Sequence, residues 1–275
     1  SFKVSRVWAD AQSRFWDLNG LRHILEPSLD YVYVPAPSTL PSGLPQFDYQ
    51  GPSLWQVPIE YPEYNSIDSI DSQNVLRFGL QNTLQTKRSG QVVDFINWNV
   101  QTDWRLHPNA GQTTFSDIYS DFRTRPRPWL TLESLNRYDI HGKSWRMALE
   151  SLTIQPNNVW SWSGGYFYLN NDYGTSPTAL GQGENSFMSS IYYRLNENWG
   201  FRATHRFDAR AGRLQEQAYT VYRDLRSWTG ALTFRLLDND TGSEDFAVAF
   251  TFSLKAAPRH SPGTDKAKTA SLLGG

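Results

Sequence analysis

Three carboxylates, Asp117, Asp121 and Glu133, are the side chains of this sequence most suited to bond-breaking chemistry. Two carboxyl groups held roughly 5 to 9.5 Å apart cleave glycosidic bonds, one as the acid and the other as the base or the nucleophile. Spacing along the chain does not fix that separation. A soluble, aromatic-rich β-protein that binds or cleaves polysaccharide, with its Trp rings stacked on sugars, therefore stays open as an alternative.

The other motifs with known chemistry are weak. "GQGENS" at 181–186 has neither the third glycine nor the following helix of a nucleotide-binding turn, and no G-x-S-x-G nucleophile motif occurs. The five histidines lack the spacing of metal ligands: His23, His107, His141, His205 and His260. Cysteine is absent. We therefore expect no catalytic residue, no metal and no cofactor, and the sequence does not predict an enzyme.

Polar side chains that can bind sugar or phosphate form a larger set of candidates. Guanidinium groups make charge-assisted hydrogen bonds to phosphate, and amides bind hydroxyl groups. The set is Arg77, Gln81, Asn97, Asn99, Asp103, Arg105, Arg202, Arg206 and Arg235. For each residue the alternative is a cross-strand ion pair or hydrogen bond that only fills a wet interior.

The elements that carry these side chains are predicted to be β-strands, because apolar and polar residues alternate with period two. In "EDFAVAFTFSL", the apolar face holds Phe246, Val248, Phe250, Phe252 and Leu254. Turn signals divide the chain into about thirteen strands, many of roughly 10 to 14 residues. Tight turns alternate with longer loops, the longest at 35–73. Strands of this length and loops in this order are typical of outer-membrane β-barrels.

The residue types on the polar faces indicate which solvent they contact. They are rich in Asn, Gln, Thr and Arg and poor in Lys and Glu, unlike the outer face of a soluble protein. Six tryptophans fall near presumed strand ends, where rings can sit at a membrane boundary: Trp104, Trp129, Trp145, Trp160, Trp199 and Trp228. The pattern favours a transmembrane barrel over a soluble sandwich, and strands this long are poor propeller strands.

Composition limits the partners. Lys and Arg total 26 against 27 Asp and Glu, and no basic tract occurs, so we expect no nucleic acid. Residues 1–12 lack the pattern of a signal peptide, so none is expected there. We predict one barrel portion at 1–257, an ordered extracellular cap at about 35–73 and a disordered tail at 258–275.

Several phrases of the sequence resemble the LptD family, the lipopolysaccharide-assembly or organic solvent tolerance proteins. They are, in order, "GLRHILEPSLDYVYVP", "FSDIYSDFRTRPRPWLTLESLNRYD", "LNENWGFRATHRFD", "LQEQAYTVYRDLRSWTGALTFRL" and "FAVAFTFSLKA". The resemblance covers roughly residues 1–257 and corresponds to the C-terminal half of the family's barrel. One departure is Ser227, where many members have cysteine.

The resemblance implies a 26-stranded barrel in the outer membrane of Gram-negative-type cells that inserts lipopolysaccharide into the outer leaflet. The implied partners are lipopolysaccharide, an LptE-type plug lipoprotein, outer-membrane lipids and an LptA-type bridge, reached through a jelly-roll outside this chain. The last barrel strand would be 244–255, and Phe246, Val248, Phe250, Phe252 and Leu254 would form the lipid face of a lateral gate. A simple outer-membrane channel is the further alternative.

Overall fold

The computed structural model describes residues 2–40, 43–45, 53–60, 71–109, 111–173, 179–238 and 244–254. The all-β prediction is confirmed, since thirteen antiparallel strands form one sheet in chain order. They are β1 (Val4–Ser13), β2 (Leu18–Val34), β3 (Gln73–Arg88), β4 (Gln91–Arg105), β5 (Ile118–Arg127), β6 (Leu130–Asp139), β7 (Ser144–Ile154), β8 (Trp160–Leu169), β9 (Glu184–Arg194), β10 (Trp199–Asp208), β11 (Arg213–Asp224), β12 (Trp228–Asp238) and β13 (Glu244–Leu254).

The first and last strands are the edges of the sheet. In the part of the chain that the structure describes, β1 pairs only with β2, and β13 pairs only with β12. Over the same residues no helix is long and apolar enough to cross a membrane.

Local turn chemistry explains why successive strands form hairpins. Between β3 and β4, Ser89 and Gly90 have φ angles of 49° and 80°, the two positive values that a type I′ turn requires. Elsewhere an Asn or Asp oxygen accepts two backbone N–H groups of its own turn. Asn157 does so before β8, Asn196 before β10 and Asp208 after β10. These turns satisfy the backbone where the chain reverses.

Connection lengths follow the predicted alternation in part. The turns at 14–17, 89–90, 128–129, 155–159, 195–198 and 225–227 are short. The intervening connections include 35–72, 106–117 and 170–183, but 140–143 and 209–212 have only four residues each. At both short sites an Asp side chain, Asp139 or Asp208, caps the turn, so no longer loop is needed.

Many large apolar side chains of the sheet are exposed, and polar side chains make up more than half of the buried set. Large apolar residues such as Phe78, Ile191, Phe201 and Phe234 are exposed. The buried side chains are mostly small, polar or charged: Thr83, Thr86, Arg105, Ser116, Thr124, Arg137, Ser151, Thr153, Ser161, Ser163, Ser186, Thr220 and Ser253. A smaller apolar set is buried with them: Ile24, Val75, Met147, Leu149, Phe167, Leu169, Met188, Tyr192, Ala203 and Ala231.

The chain divides into two compact units. The first comprises Ser1–Thr124, Ser134–Ala148 and Tyr168–Gly183, and the second comprises Arg125–Glu133, Leu149–Phe167 and Glu184–Gly275. The first unit contains β1 to β4 and most of the polar candidates, and the second contains β9 to β13. The predicted tail at 258–275 lies outside the described residues, as does part of the loop at 35–73.

Candidate functional site

Strand register brings the polar candidates of β3 and β4 onto one face. Residues directly opposite each other in an antiparallel pair share a face. Arg77 is opposite Asp103, and Gln81 is opposite Asn99. Asn97 and Arg105 lie at even spacings from these residues along β4. The neighbouring positions form the other face, on which Phe78 and Trp98 are exposed. We call the first of these surfaces the polar face.

An ion pair at one end of the polar face is well formed. Arg77 donates through Nε to Asp103 Oδ1 at 2.7 Å and through Nη2 to Oδ2 at 2.9 Å. The exposed fractions of the two side chains are 11% and 15%. Nearby, Arg105 is buried and donates to the carbonyl oxygen of Thr113 at 2.8 Å. Each of these cations is therefore engaged within the protein.

Part of the long loop lies against the polar face. Gln56 Nε2 donates to Asp103 Oδ1 at 3.0 Å, and Gln73 Nε2 donates to the carbonyl oxygen of Ile59 at 2.9 Å. The carbonyl oxygen of Ser53 accepts a hydrogen bond from Arg137 Nη1 at 3.1 Å. Segment 53–60 thus contacts the sheet through these hydrogen bonds.

A cavity of about 160 Å³ lies between this segment and the sheet. Its lining comes from the loop, from β4 to β6 and from the start of β7. The lining residues are Leu54, Trp55, Gln56, Asn99, Gln101, Tyr119, Ser120, Asp121, Leu135, Asn136 and Met147. Amides and a carboxylate meet aromatic and aliphatic side chains there, so the cavity is neither purely polar nor purely apolar.

Five charged residues link β6, β7 and two loops in one network. Arg146 pairs with Asp172 at 2.8 Å, Asp139 at 3.3 Å and Asp117 at 3.5 Å. Arg137, which is buried, also pairs with Asp117 and lies over the Tyr119 ring at 5.2 Å. Two cations thus hold three carboxylates. The predicted candidates omitted Arg137, Arg146, Asp139 and Asp172, because the pairing depends on loop contacts that alternation does not encode.

The remaining arginine candidates lie on β10 and β12 in the second unit. Arg206 pairs with Glu184, and Arg235 pairs with Glu216 at 2.6 Å. Arg202 differs, because it makes no ion pair with any described residue. Its guanidinium carbon lies 6.0 Å from the centre of the Tyr222 ring, and its Nε is buried without a hydrogen-bond partner. Arg206 Nε also lacks a hydrogen-bond partner, but Arg206 is paired with Glu184, so Arg202 is the arginine of the three without a carboxylate partner among the described residues.

The last strand carries the predicted gate residues on one face. Phe246, Val248 and Phe250 are opposite Leu236, Phe234 and Leu232 of β12. Phe252 and Leu254 continue the row, and all five side chains of β13 are more than half exposed. The opposite face holds Ala247, Ala249, Thr251 and Ser253. Because β13 is an edge strand, both of its faces are open except at Ser253.

The residues considered for catalysis and metal binding have other surroundings. Asp117 belongs to the charged network and Asp121 lines the cavity. His23 is hydrogen-bonded to Asn82, His107 to Asn74 and His205 to Tyr219. Over the described ranges, no group of three or more His, Cys, Asp or Glu side chains is placed to hold a metal ion. His260 lies outside those ranges.

The fold and the site define an all-β protein whose long antiparallel strands expose apolar side chains and bury polar ones. A family model described as "LptD: LPS transport system D" matches residues 11–199, so the chain belongs to the LptD family of the lipopolysaccharide transport system. No curated protein matches this chain.

Proposed function

We propose that this chain is part of a transmembrane β-barrel of the outer membrane, which inserts lipopolysaccharide into the outer leaflet through a lateral gate. The main observation that supports this proposal is that Phe, Trp, Leu and Ile side chains of the sheet are exposed while Thr, Ser and Arg side chains are buried. Transfer of one such side chain out of water is favourable by about 1.5–3 kcal/mol. A protein with this many exposed apolar groups is stable only where lipid or another protein covers them.

The positions of the tryptophans also support a sheet that spans a membrane. Trp129, Trp160, Trp199 and Trp228 lie in or next to the short turns, whereas Trp104 and Trp145 lie near the ends that carry the longer loops. All six are exposed. Arg223 lies over the Trp199 ring at 4.5 Å. Amphipathic rings at both strand ends match the two aromatic girdles of an outer-membrane barrel, with the short turns in the periplasm.

The lateral gate is proposed at β13. The acyl chains of lipopolysaccharide need a path into lipid, and an edge strand is where a sheet can open without breaking internal pairs. Phe246, Val248 and Phe250 would face those chains, together with Phe252 and Leu254. In the complete barrel, β13 would be the last of 26 strands and would close against the first strand, which is outside this chain.

Polar side chains of β3, β4, β10 and β12 would contact the sugar and phosphate groups. Arg202 is the residue we favour for contact with phosphate, because its buried Nε has no hydrogen-bond partner and no carboxylate among the described residues neutralises it. Arg77 and Arg235 are paired with carboxylates, so we assign them to holding strands together. An LptE-type plug lipoprotein and an LptA-type bridge are the partners that family membership suggests.

Site-specific photocrosslinking tests the proposal. A photoreactive phenylalanine analogue replaces Phe250 in the full-length protein, and crosslinks to lipopolysaccharide are detected in cells. The matched control replaces Trp98, an exposed aromatic residue of β4. We expect crosslinks at position 250 and few at position 98. If lipopolysaccharide is not crosslinked at position 250, and no plug lipoprotein co-purifies with the protein, the result would instead support a simple channel.

A further inference from the structure

We propose that the cavity under segment 53–60 binds one uncharged sugar ring. The inference rests on the proposed function, because the sugar part of lipopolysaccharide would pass this surface. It goes further by assigning a defined subsite to the loop segment and strands β4 to β7.

The size of the cavity fits a single ring. Its volume is about 160 Å³. An engineered protein cavity of roughly 150 Å³ holds one benzene molecule, so this space admits one six-membered ring with few substituents inside it. A longer saccharide would extend from the cavity along the polar face, and only one unit would be enclosed.

The polar lining matches the hydroxyl groups of a sugar. Asn99 and Gln101 project from alternate positions of β4, and neither side chain makes a hydrogen bond to any described residue. Gln56 Oε1 is buried and accepts no hydrogen bond from a described residue, although Nε2 of the same amide donates a hydrogen bond to Asp103. Amides donate and accept, as hydroxyl groups do. A bound hydroxyl at Gln56 would satisfy an acceptor that is otherwise costly to bury.

The apolar lining matches the carbon face of a sugar. Trp55 enters from the loop and Tyr119 from β5, with Leu135 and Met147 beside them. The Tyr119 ring is held under the Arg137 guanidinium, so its orientation is fixed by a residue of the charged network. Sites for small polar molecules generally combine apolar walls with a few convergent polar groups, as this cavity does.

The charges around the cavity favour a neutral ligand over a phosphorylated one. Arg77 and Arg137 are the nearby cations, and each is already paired, with Asp103 and Asp117 respectively. Asp121 adds a carboxylate to the lining. A phosphate at the lining would meet the Asp121 carboxylate, whereas the hydroxyl groups of a neutral ring could donate hydrogen bonds to it.

Calorimetric titration of the full-length protein in detergent micelles tests the subsite. The probe is the core oligosaccharide released from purified lipopolysaccharide by mild acid. Trp55→Ala should weaken binding about 10-fold, because it removes an aromatic wall. Asn99→Leu should weaken binding about 5-fold, through one lost hydrogen bond. The matched controls are Trp16→Ala, a residue exposed to 46% against 44% for Trp55, and Asn97→Leu on the same strand and face outside the cavity.

The result that supports the subsite is saturable binding that Trp55→Ala and Asn99→Leu weaken and the two controls leave unchanged. Absence of saturable binding, or equal affinities for all variants, would overturn it. Crosslinking of lipopolysaccharide at position 250 is measured in cells, as described above. If that crosslink persists while the oligosaccharide does not bind, the subsite fails and the proposed function stands. If no crosslink forms at position 250 in the protein that carries none of these substitutions, the proposed function fails independently of the subsite.

Discussion

Arg77 and Asp103 face each other across β3 and β4 and form a bidentate ion pair, with N–O distances of 2.7 and 2.9 Å. The same Asp103 Oδ1 also accepts a hydrogen bond from Gln56 at 3.0 Å. One carboxylate therefore connects two neighbouring strands to the loop segment at 53–60. The pair matters for both the stability of the sheet and the position of the loop.

Asp103→Asn should lower the free energy of unfolding by about 2 kcal/mol, because it leaves the Arg77 guanidinium largely buried without its counter-charge. Urea unfolding of the full-length protein in micelles, followed by tryptophan fluorescence, measures the loss. The double variant Arg77→Met/Asp103→Leu should recover much of it, since neither charge then remains. If the losses of stability in the single variants Arg77→Met and Asp103→Leu add up to the loss in the double variant, the two residues are not coupled.

Arg146→Met should cost more stability than Arg235→Met. Arg146 is 25% exposed and holds three carboxylates, whereas Arg235 is 50% exposed and pairs with Glu216 alone. We expect a loss of about 2 kcal/mol for the first, from repulsion among the remaining carboxylates. For the second we expect at most about 1 kcal/mol, as for other exposed pairs. Equal unfolding midpoints for the two variants would contradict the assigned network.

Gln56→Ala should loosen segment 53–60 without affecting the strands. The substitution removes the hydrogen bond to Asp103, worth about 1 kcal/mol, so local opening should become roughly fivefold more frequent. Hydrogen exchange read by mass spectrometry should therefore accelerate in peptides that cover 53–60 and stay unchanged in β3 and β4. Gln81→Ala, on the same polar face, is the control. Unchanged exchange at 53–60 would mean that other contacts hold the segment.

A charge on the outer face of β13 should impair assembly into the outer membrane. Phe250→Asp places a carboxylate at mid-strand on the face we assign to lipid, where charged side chains are destabilising. Thr251→Asp changes the next residue, on the opposite face of the strand, and should be tolerated better. The amount of heat-modifiable protein in outer-membrane fractions compares them. Equal amounts of the two variants would argue against a lipid-facing row at 246–254.

Much of the fold followed from the sequence because a two-residue period is a local signal. Phe246, Val248 and Phe250 alternate with small residues, and the register of β12 and β13 puts that row opposite Leu236, Phe234 and Leu232. Turn positions were less exact. Alternation does not locate the β1–β2 turn, which is at 14–17 because Leu18 and Asn19 already pair with Ser13 and Gln12.

The site was harder to predict, because it depends on contacts between distant parts of the chain. Parity alone puts Arg77 and Asp103 on the polar face, but their pairing required the register of β3 and β4. Gln56 contacts Asp103, which is 47 positions away in the chain, and Arg137 contacts Ser53, which is 84 positions away. Neither contact has a local signature in the sequence. Arg202 also has no local signature, because its lack of a carboxylate partner among the described residues distinguishes it from Arg206 only once the strands are assembled.

The direction in which the apolar face points is the central claim, and this chain has no cysteine of its own to compete with an introduced label. Two variants are made, Phe234→Cys and Thr233→Cys, which change adjacent residues of β12. Each cysteine carries a nitroxide spin label in the full-length protein, which is reconstituted into bilayers. Collision rates with oxygen, which concentrates in lipid, and with a water-soluble nickel chelate are then compared. We predict that the label at 234 collides mainly with oxygen and the label at 233 mainly with nickel. The reverse order, or equal nickel accessibility at both positions, would contradict the account.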